Sequence, residues 1–137
     1  MSEIRATYAS AWRTRPDAFS TEFSAVFTAP RIDDRTLARA LAAREAFERR
    51  IRTLFTLVDV LAMPTVPLVA PPIDGPIDGM RILRNTWAWN AARVPAVSVP
   101  CGTGADGLPV GLQLVGAADD EATLLAAATL VERATSR

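Results

Sequence analysis

Apolar residues change their spacing along this chain, and the changes divide it into elements. Over residues 1–30, Phe19, Phe23, Val26 and Phe27 recur at intervals of three and four, with Pro16 before them and Pro30 after. That spacing predicts one or two short amphipathic helices, packed on a main body and bounded by the prolines. Asp33 or Asp34 can then cap the longest helix, expected over about 34–57. On a helical wheel Leu37, Ala40, Leu41, Phe47, Ile51, Leu54, Phe55 and Val58 fall within roughly 140° of one another. Arg39, Arg49 and Arg50 lie opposite. Arg44 breaks the pattern, because it projects near the middle of the apolar arc, and Glu48 follows one turn later as its natural partner. The wheel therefore predicts that Arg44 is more buried than the other three arginines. It is either a snorkelling or ion-paired residue, or an Arg holding a carboxylate from elsewhere in a larger protein.

Beyond the long helix the period shortens. Leu57-Val-Asp-Val-Leu-Ala predicts a short buried strand at about 57–62. Five of the ten prolines fall between Pro64 and Pro76. Each removes a backbone donor, so 64–79 reads as a stiff irregular loop rather than a linker between domains. Residues 80–92 are expected to be helical, with Trp87 and Trp89 near the end. Strict alternation then appears. Val97 and Val99 alternate with Ala96 and Ser98, and Val110, Leu112 and Leu114 alternate on the return. Gly102, Gly104 and Gly107 mark the turn between them. The result is a hairpin over 95–116, with strands at about 95–101 and 110–116. Residues 58–61 are expected in the same sheet. Gly111 within a strand predicts a close backbone approach or a bulge. Asp119 or Asp120 caps a final helix over about 120–135, with Leu124, Leu125, Ala128 and Val131 on one face. The chain reads as a single partial domain of the α/β class, residues 1–137.

Composition narrows the chemistry. Fifteen basic and fifteen acidic residues balance, which gives no electrostatic reason to expect nucleic acid or anionic lipid as a partner. No apolar run approaches the ~20 residues that cross a membrane, and the opening segment lacks the apolar centre of a signal peptide. A soluble cytoplasmic protein is expected. There is no His, and every basic residue is Arg. Arg does not give up its proton at working pH, so the usual acceptors for activating a serine or cysteine are missing from these residues. Cys101 stands alone, with neither a disulfide framework nor a cysteine cluster for metal. No cofactor and no metal is expected. Ser98 and Cys101 read as small strand residues, and a hydrolase built on either would need a carboxylate as base.

Four segments occur in a telling order. They are Tyr8-Ala-Ser-Ala-Trp through Phe27; Ala40-Leu-Ala-Ala-Arg-Glu-Ala-Phe-Glu-Arg-Arg followed by Val58-Asp-Val-Leu-Ala-Met-Pro-Thr; Asn90-Ala-Ala-Arg-Val-Pro-Ala-Val-Ser-Val-Pro-Cys-Gly with Asp106-Gly-Leu-Pro-Val-Gly-Leu-Gln-Leu-Val-Gly; and Asp119-Asp-Glu-Ala-Thr-Leu-Leu. Together, over roughly residues 8 to 135, they resemble the C-terminal core of the amidase-signature enzymes. These are serine amidohydrolases that include amide hydrolases and glutamyl-tRNA amidotransferase A subunits. The resemblance implies the C-terminal part of a mixed-sheet α/β fold and, for the whole protein, cleavage of carboxylic amide C–N bonds. The family's chemistry uses a Ser nucleophile, a second Ser in a cis peptide and a Lys base, the serines lying near a Gly-Gly-Ser-Ser-Gly type of loop. This sequence has no Lys, no adjacent glycines and no adjacent serines, so no catalytic residue is assigned and the chain alone is expected to be inactive. The partners implied are an N-terminal amidase half that supplies those groups, or self-association through an exposed apolar sheet face or edge. Trp87, Trp89 and Arg93, with the 64–79 loop, are the candidates for lining a substrate pocket. Arg93 stands where the family usually has Gly. If that position needs positive φ or close packing, Arg costs energy there, and the change implies relaxed selection, an altered pocket or an acidic substrate.

Overall fold

A computed structural model describes residues 2–76 and 78–135. Ile77, inside the Pro-rich loop, and Ser136 lie outside them, as do both terminal residues. The elements in order are α1 (Ser2–Thr14), a single 3-10 turn (Pro16–Ala18), α2 (Thr21–Thr28), α3 (Asp34–Leu54), β1 (Val60–Pro64), α4 (Gly79–Leu83), α5 (Trp87–Ala92), β2 (Ala96–Thr103), β3 (Pro109–Gly116) and α6 (Glu121–Thr135). The chain forms two compact units, one up to Ala40 and one from Leu41 onward.

The first unit is helical, and aromatic rings hold it together. Tyr8 and Trp12, one turn apart on α1, meet Phe19, Phe23 and Phe27. Trp12 stacks on Phe27 at 4.7 Å between centroids, and Tyr8 meets Phe23 edge-on at 5.5 Å. Ser20 caps α2 by accepting from the Phe23 N–H at 3.2 Å. Arg5 closes the other end of α2, donating to the carbonyls of Val26 and Ala29. The Asp33 carboxylate caps α3, accepting from the Thr36 N–H at 2.8 Å and the Thr36 hydroxyl at 2.7 Å. These two donors hold the Asp33 carboxyl below its usual range.

The second unit is built on a three-stranded antiparallel sheet in the order β1-β3-β2. The hairpin pairs Val97 with Leu114 and Val99 with Leu112, and β1 adds on the far side with Leu61 opposite Val115 and Pro64 opposite Leu112. Alternation sends Val97, Val99, Leu112 and Leu114 to one face. There α6 covers them with Leu124 and Ala128, and Val60 and Val131 complete the cluster. Leu114 is 3% exposed and Leu124 2%. Pro100 is tolerated because β2 is an edge strand. A register shift between Pro100 and Thr103 and positive φ at Gly102 and Gly107 shape the turn. No helix among the described residues is long and apolar enough to cross a membrane.

Five expectations need correction in detail. The first strand begins at Val60 rather than 57, because pairing with β3 starts there and leaves Leu57 78% exposed. The long helix ends at Leu54, where the N–H groups of Thr56 and Leu57 turn back to carbonyls three residues earlier. The helix expected over 80–92 is two helices separated by Arg84-Asn85-Thr86. Leu125 does not share the buried face of α6, being 56% exposed beside Leu124. The strands expected at 95–101 and 110–116 are observed at 96–103 and 109–116.

Candidate functional site

The break between α4 and α5 is where the sheet's other face acquires polar structure. Asn85 sits at its centre. Its side-chain amide donates to the Pro64 carbonyl at 2.9 Å, tying the break to the end of β1. Its backbone carbonyl accepts from Trp89 Nε1 and from Gln113 Nε2, each at 2.8 Å. Gln113, on β3, is 4% exposed. A buried amide needs partners, so this bond fixes the break over the sheet face opposite α6. One strand residue away, the hydroxyls of Thr65 and Ser98 lie 2.6 Å apart. They close over Gly111. A Cβ built there would come within 2.7 Å of Ser98 Oγ and 2.8 Å of Thr65 Oγ1. A close backbone approach or a bulge was expected at Gly111, and what approaches it is two side-chain hydroxyls.

The helix that follows spreads the candidate pocket residues apart. Trp87 is 57% exposed. Trp89 is half-buried and committed to Asn85. Arg93 ends α5 in the left-handed conformation, φ 56° and ψ 43°, while its N–H bonds back to Asn90. Helices commonly end this way on Gly, and a residue with a Cβ costs about 1 kcal/mol there. The positive φ anticipated for this position is present, and so is the strain. Arg93 Nε reaches Glu48 Oε1 at 3.9 Å. Arg44 Nε lies 3.4 Å from the same oxygen, and Arg52 Nη1 lies 4.0 Å from Oε2. The Arg44 side chain is 28% exposed, whereas Arg39, Arg49 and Arg50 are exposed. The wheel thus placed Arg44 and its partner correctly.

Two cavities lie elsewhere. One of about 440 Å³ lies in the helical unit, lined by Ala6, Ala9, Pro30, Ile32 and Leu37 with Arg5 and Arg31. One of about 110 Å³ lies between the Pro-rich loop and α4, lined by Leu68, Pro71, Pro76, Asp78, Arg81 and Ile82. Neither is lined by Trp87, Trp89 or Arg93. The smaller cavity brings the Pro-rich loop beside α4, not beside Trp87 and Trp89, with which it was expected to line a substrate pocket. The sequence reading missed Asn85 and Gln113. Asn85-Thr86, a pair of weak helix formers inside a presumed helix, was the available signal. Among the described residues no group of three His, Cys, Asp or Glu could hold a metal ion. The Thr65–Ser98 pair has no Lys or His within these 137 residues to take a proton.

A family model described as Amidase matches residues 4–125. The chain belongs to the amidase family. The A subunit of glutamyl-tRNA(Gln) amidotransferase from Methanococcoides burtonii is 40% identical over 106 residues, covering 74% of this chain and 22% of that protein. The same subunit from Chloroflexus aurantiacus is 46% identical over 101 residues, covering 71% of this chain and 20% of its own length. A solved amidase crystal structure superimposes with a TM-score of 0.79 at 25% identity, covering 93% of this chain and 32% of that one. The chain therefore shares the amidase fold over nearly all its length, while spanning about a fifth of the curated relatives it matches.

Proposed function

We propose that these residues are the C-terminal part of an amide-hydrolysing catalytic domain, and that they build one wall of the pocket for the acyl or amine group. In the reaction a serine attacks the amide carbonyl carbon, the C–N bond breaks to release the protonated amine, and water then hydrolyses the acyl-enzyme ester to release the carboxylate. The observation that carries this reading is the amidase-family match over 4–125, combined with coverage of only about a fifth of each relative. In this reading the sheet, α6 and the Asn85–Gln113 network are scaffold. The nucleophile, the bridging serine and the Lys base come from outside these residues, in further chain or in a separate partner. A split enzyme completed by such a partner is the second reading. It is favoured by the apolar side chains left open on and after α3, where Leu41 is 40% and Val58 37% exposed. Self-association competes with it, through the edges of β1 and β2, since the apolar sheet face expected to be exposed is covered by α6.

The test is hydrolysis of simple aliphatic and aromatic amides by the purified chain, alone and joined to an amidase N-terminal half carrying Ser, Ser and Lys. No release of ammonia is expected from the chain alone, and measurable turnover from the joined form. Turnover by the chain alone that vanished in Ser98→Ala would overturn this reading.

A further inference from the structure

We propose that the cavity of about 440 Å³ in the helical unit binds a small amphipathic acid, an apolar chain that carries one anionic head. Every residue that lines it falls in the first unit, and binding there is independent of the amide-hydrolysing reading above. The space exists because small side chains surround it. Ala6 and Ala9 lie one turn apart on the same side of α1. Pro30 stops the chain from continuing α2, and the segment after it brings Ile32 to the cavity, with Leu37 following from α3. Ile32 is left 51% exposed, an aliphatic side chain that the body of a ligand would cover. The volume falls within the roughly 300–1,000 Å³ typical of small-molecule sites.

Charge decides which apolar molecule fits. Arg5 and Arg31 line the cavity, and no acidic residue does. Arg5 is half-buried. Its Nε donates to the Val26 carbonyl and its Nη2 to the Ala29 carbonyl. Those oxygens satisfy two donors but leave the positive charge without a counter-ion. Arg31 is exposed, and no hydrogen bond or ion pair ties its side chain to a described residue. The acids nearest to it in sequence do not supply the missing charge. Asp33 spends its carboxylate on Thr36 at the start of α3, and Asp34 does not line the cavity. A partly buried cation is costly without an opposite charge nearby. Arg5 is also held in place by its two carbonyls, so an anion that meets it finds a charge already positioned. The free Nη1 of Arg5 and the whole Arg31 guanidinium remain as donors for an acidic head. A neutral or cationic molecule with the same apolar body gains nothing from them.

The experiment is a titration of the ¹⁵N-labelled chain, followed at the backbone amides of Ala9 and Ile32. Decanoate, kept below the concentration at which it forms micelles, is the ligand. Decanol has the same chain without the charge, decyltrimethylammonium reverses the charge, and acetate has the head without the chain. Saturable shifts are expected with decanoate. Decanol and decyltrimethylammonium should each bind about tenfold more weakly or worse, and acetate should be silent over the same range. Ala9→Leu fills the space and should abolish the response at Ile32. Arg31→Gln should weaken it about tenfold, and because the Arg31 side chain touches no described partner, that loss is not a loss of folding. Arg35→Gln, an exposed change on α3 away from the cavity, should leave the response unchanged. Absence of saturable decanoate shifts would overturn the proposal. So would equal binding of decanol or decyltrimethylammonium, an acetate response matching that of decanoate, or an undiminished response in Ala9→Leu or Arg31→Gln.

Discussion

The two units of this chain are held together in different ways. From Leu41 onward, an aliphatic core closes completely: Val99, Leu114, Leu124 and Ala128 are buried between the sheet and α6. Up to Ala40, five aromatic rings meet one another but no described side chain is buried. Hydrophobic stabilisation scales with the apolar surface removed from water. The sheet unit therefore draws more hydrophobic stabilisation from its core, while the helical unit has ring contacts whose outer faces stay wet. The second unit thus surrounds a buried aliphatic core with open apolar side chains such as Leu41, Val58 and Trp87, while the first has no buried core among the described residues.

The largest effect that can sharpen this contrast is cavity formation. Leu114→Ala and Leu124→Ala should each cost about 2–5 kcal/mol in denaturant unfolding. Leu125→Ala, one residue along but exposed, should stay within about 0.5 kcal/mol. Phe23→Ala in the ring cluster should leave the midpoint of sheet unfolding in place. A Phe23→Ala shift as large as that of Leu114→Ala would break the contrast.

Next in size is Gly111→Ala. The added methyl meets two hydroxyl oxygens closer than real Cβ contacts allow, and overpacking of this kind costs about 1–3 kcal/mol. Removing one of those oxygens in Gly111→Ala/Ser98→Ala should recover part of the loss. Arg93→Gly is smaller and opposite in sign. Relief of about 1 kcal/mol of left-handed strain should outweigh an ion pair of ~0.2–1 kcal/mol, giving a slightly more stable protein by thermal denaturation.

The smallest effect lies at the start of α3. The Thr36 donors lower the Asp33 carboxyl below its ordinary value of 3.8. A lowered folded value means that the cap is fully present above the ordinary value and is lost as pH falls through the lowered one. The Thr36 amide shift should stay flat from neutral pH down to the ordinary carboxylate range and move below it. Asp33→Asn should remove that dependence.

The sheet was legible because its signals were local. Period-two alternation and a glycine-rich turn placed β2 and β3 within a residue or two, and the wheel singled out Arg44. The errors came from tertiary effects. Leu57 and Val58 look like strand residues, but strand β1 starts only where Gly116 is available to pair. The 80–92 segment has helical composition, yet Asn85 is drawn out of it by Pro64 and Gln113, residues 21 and 28 positions away. Leu125 sits beside Leu124 in sequence, but α6 is covered on one side only. Positive φ at Arg93 was visible only because the family places Gly there; nothing in the local composition announces it.

Native-state hydrogen exchange measures the contrast between the units most directly. The amides of β3 and the facing turn of α6 should exchange only through global unfolding, while those of α1 and α2 exchange through opening that costs much less. Protection in α1 and α2 equal to that of β3 would contradict the claim that only the sheet unit has a closed core.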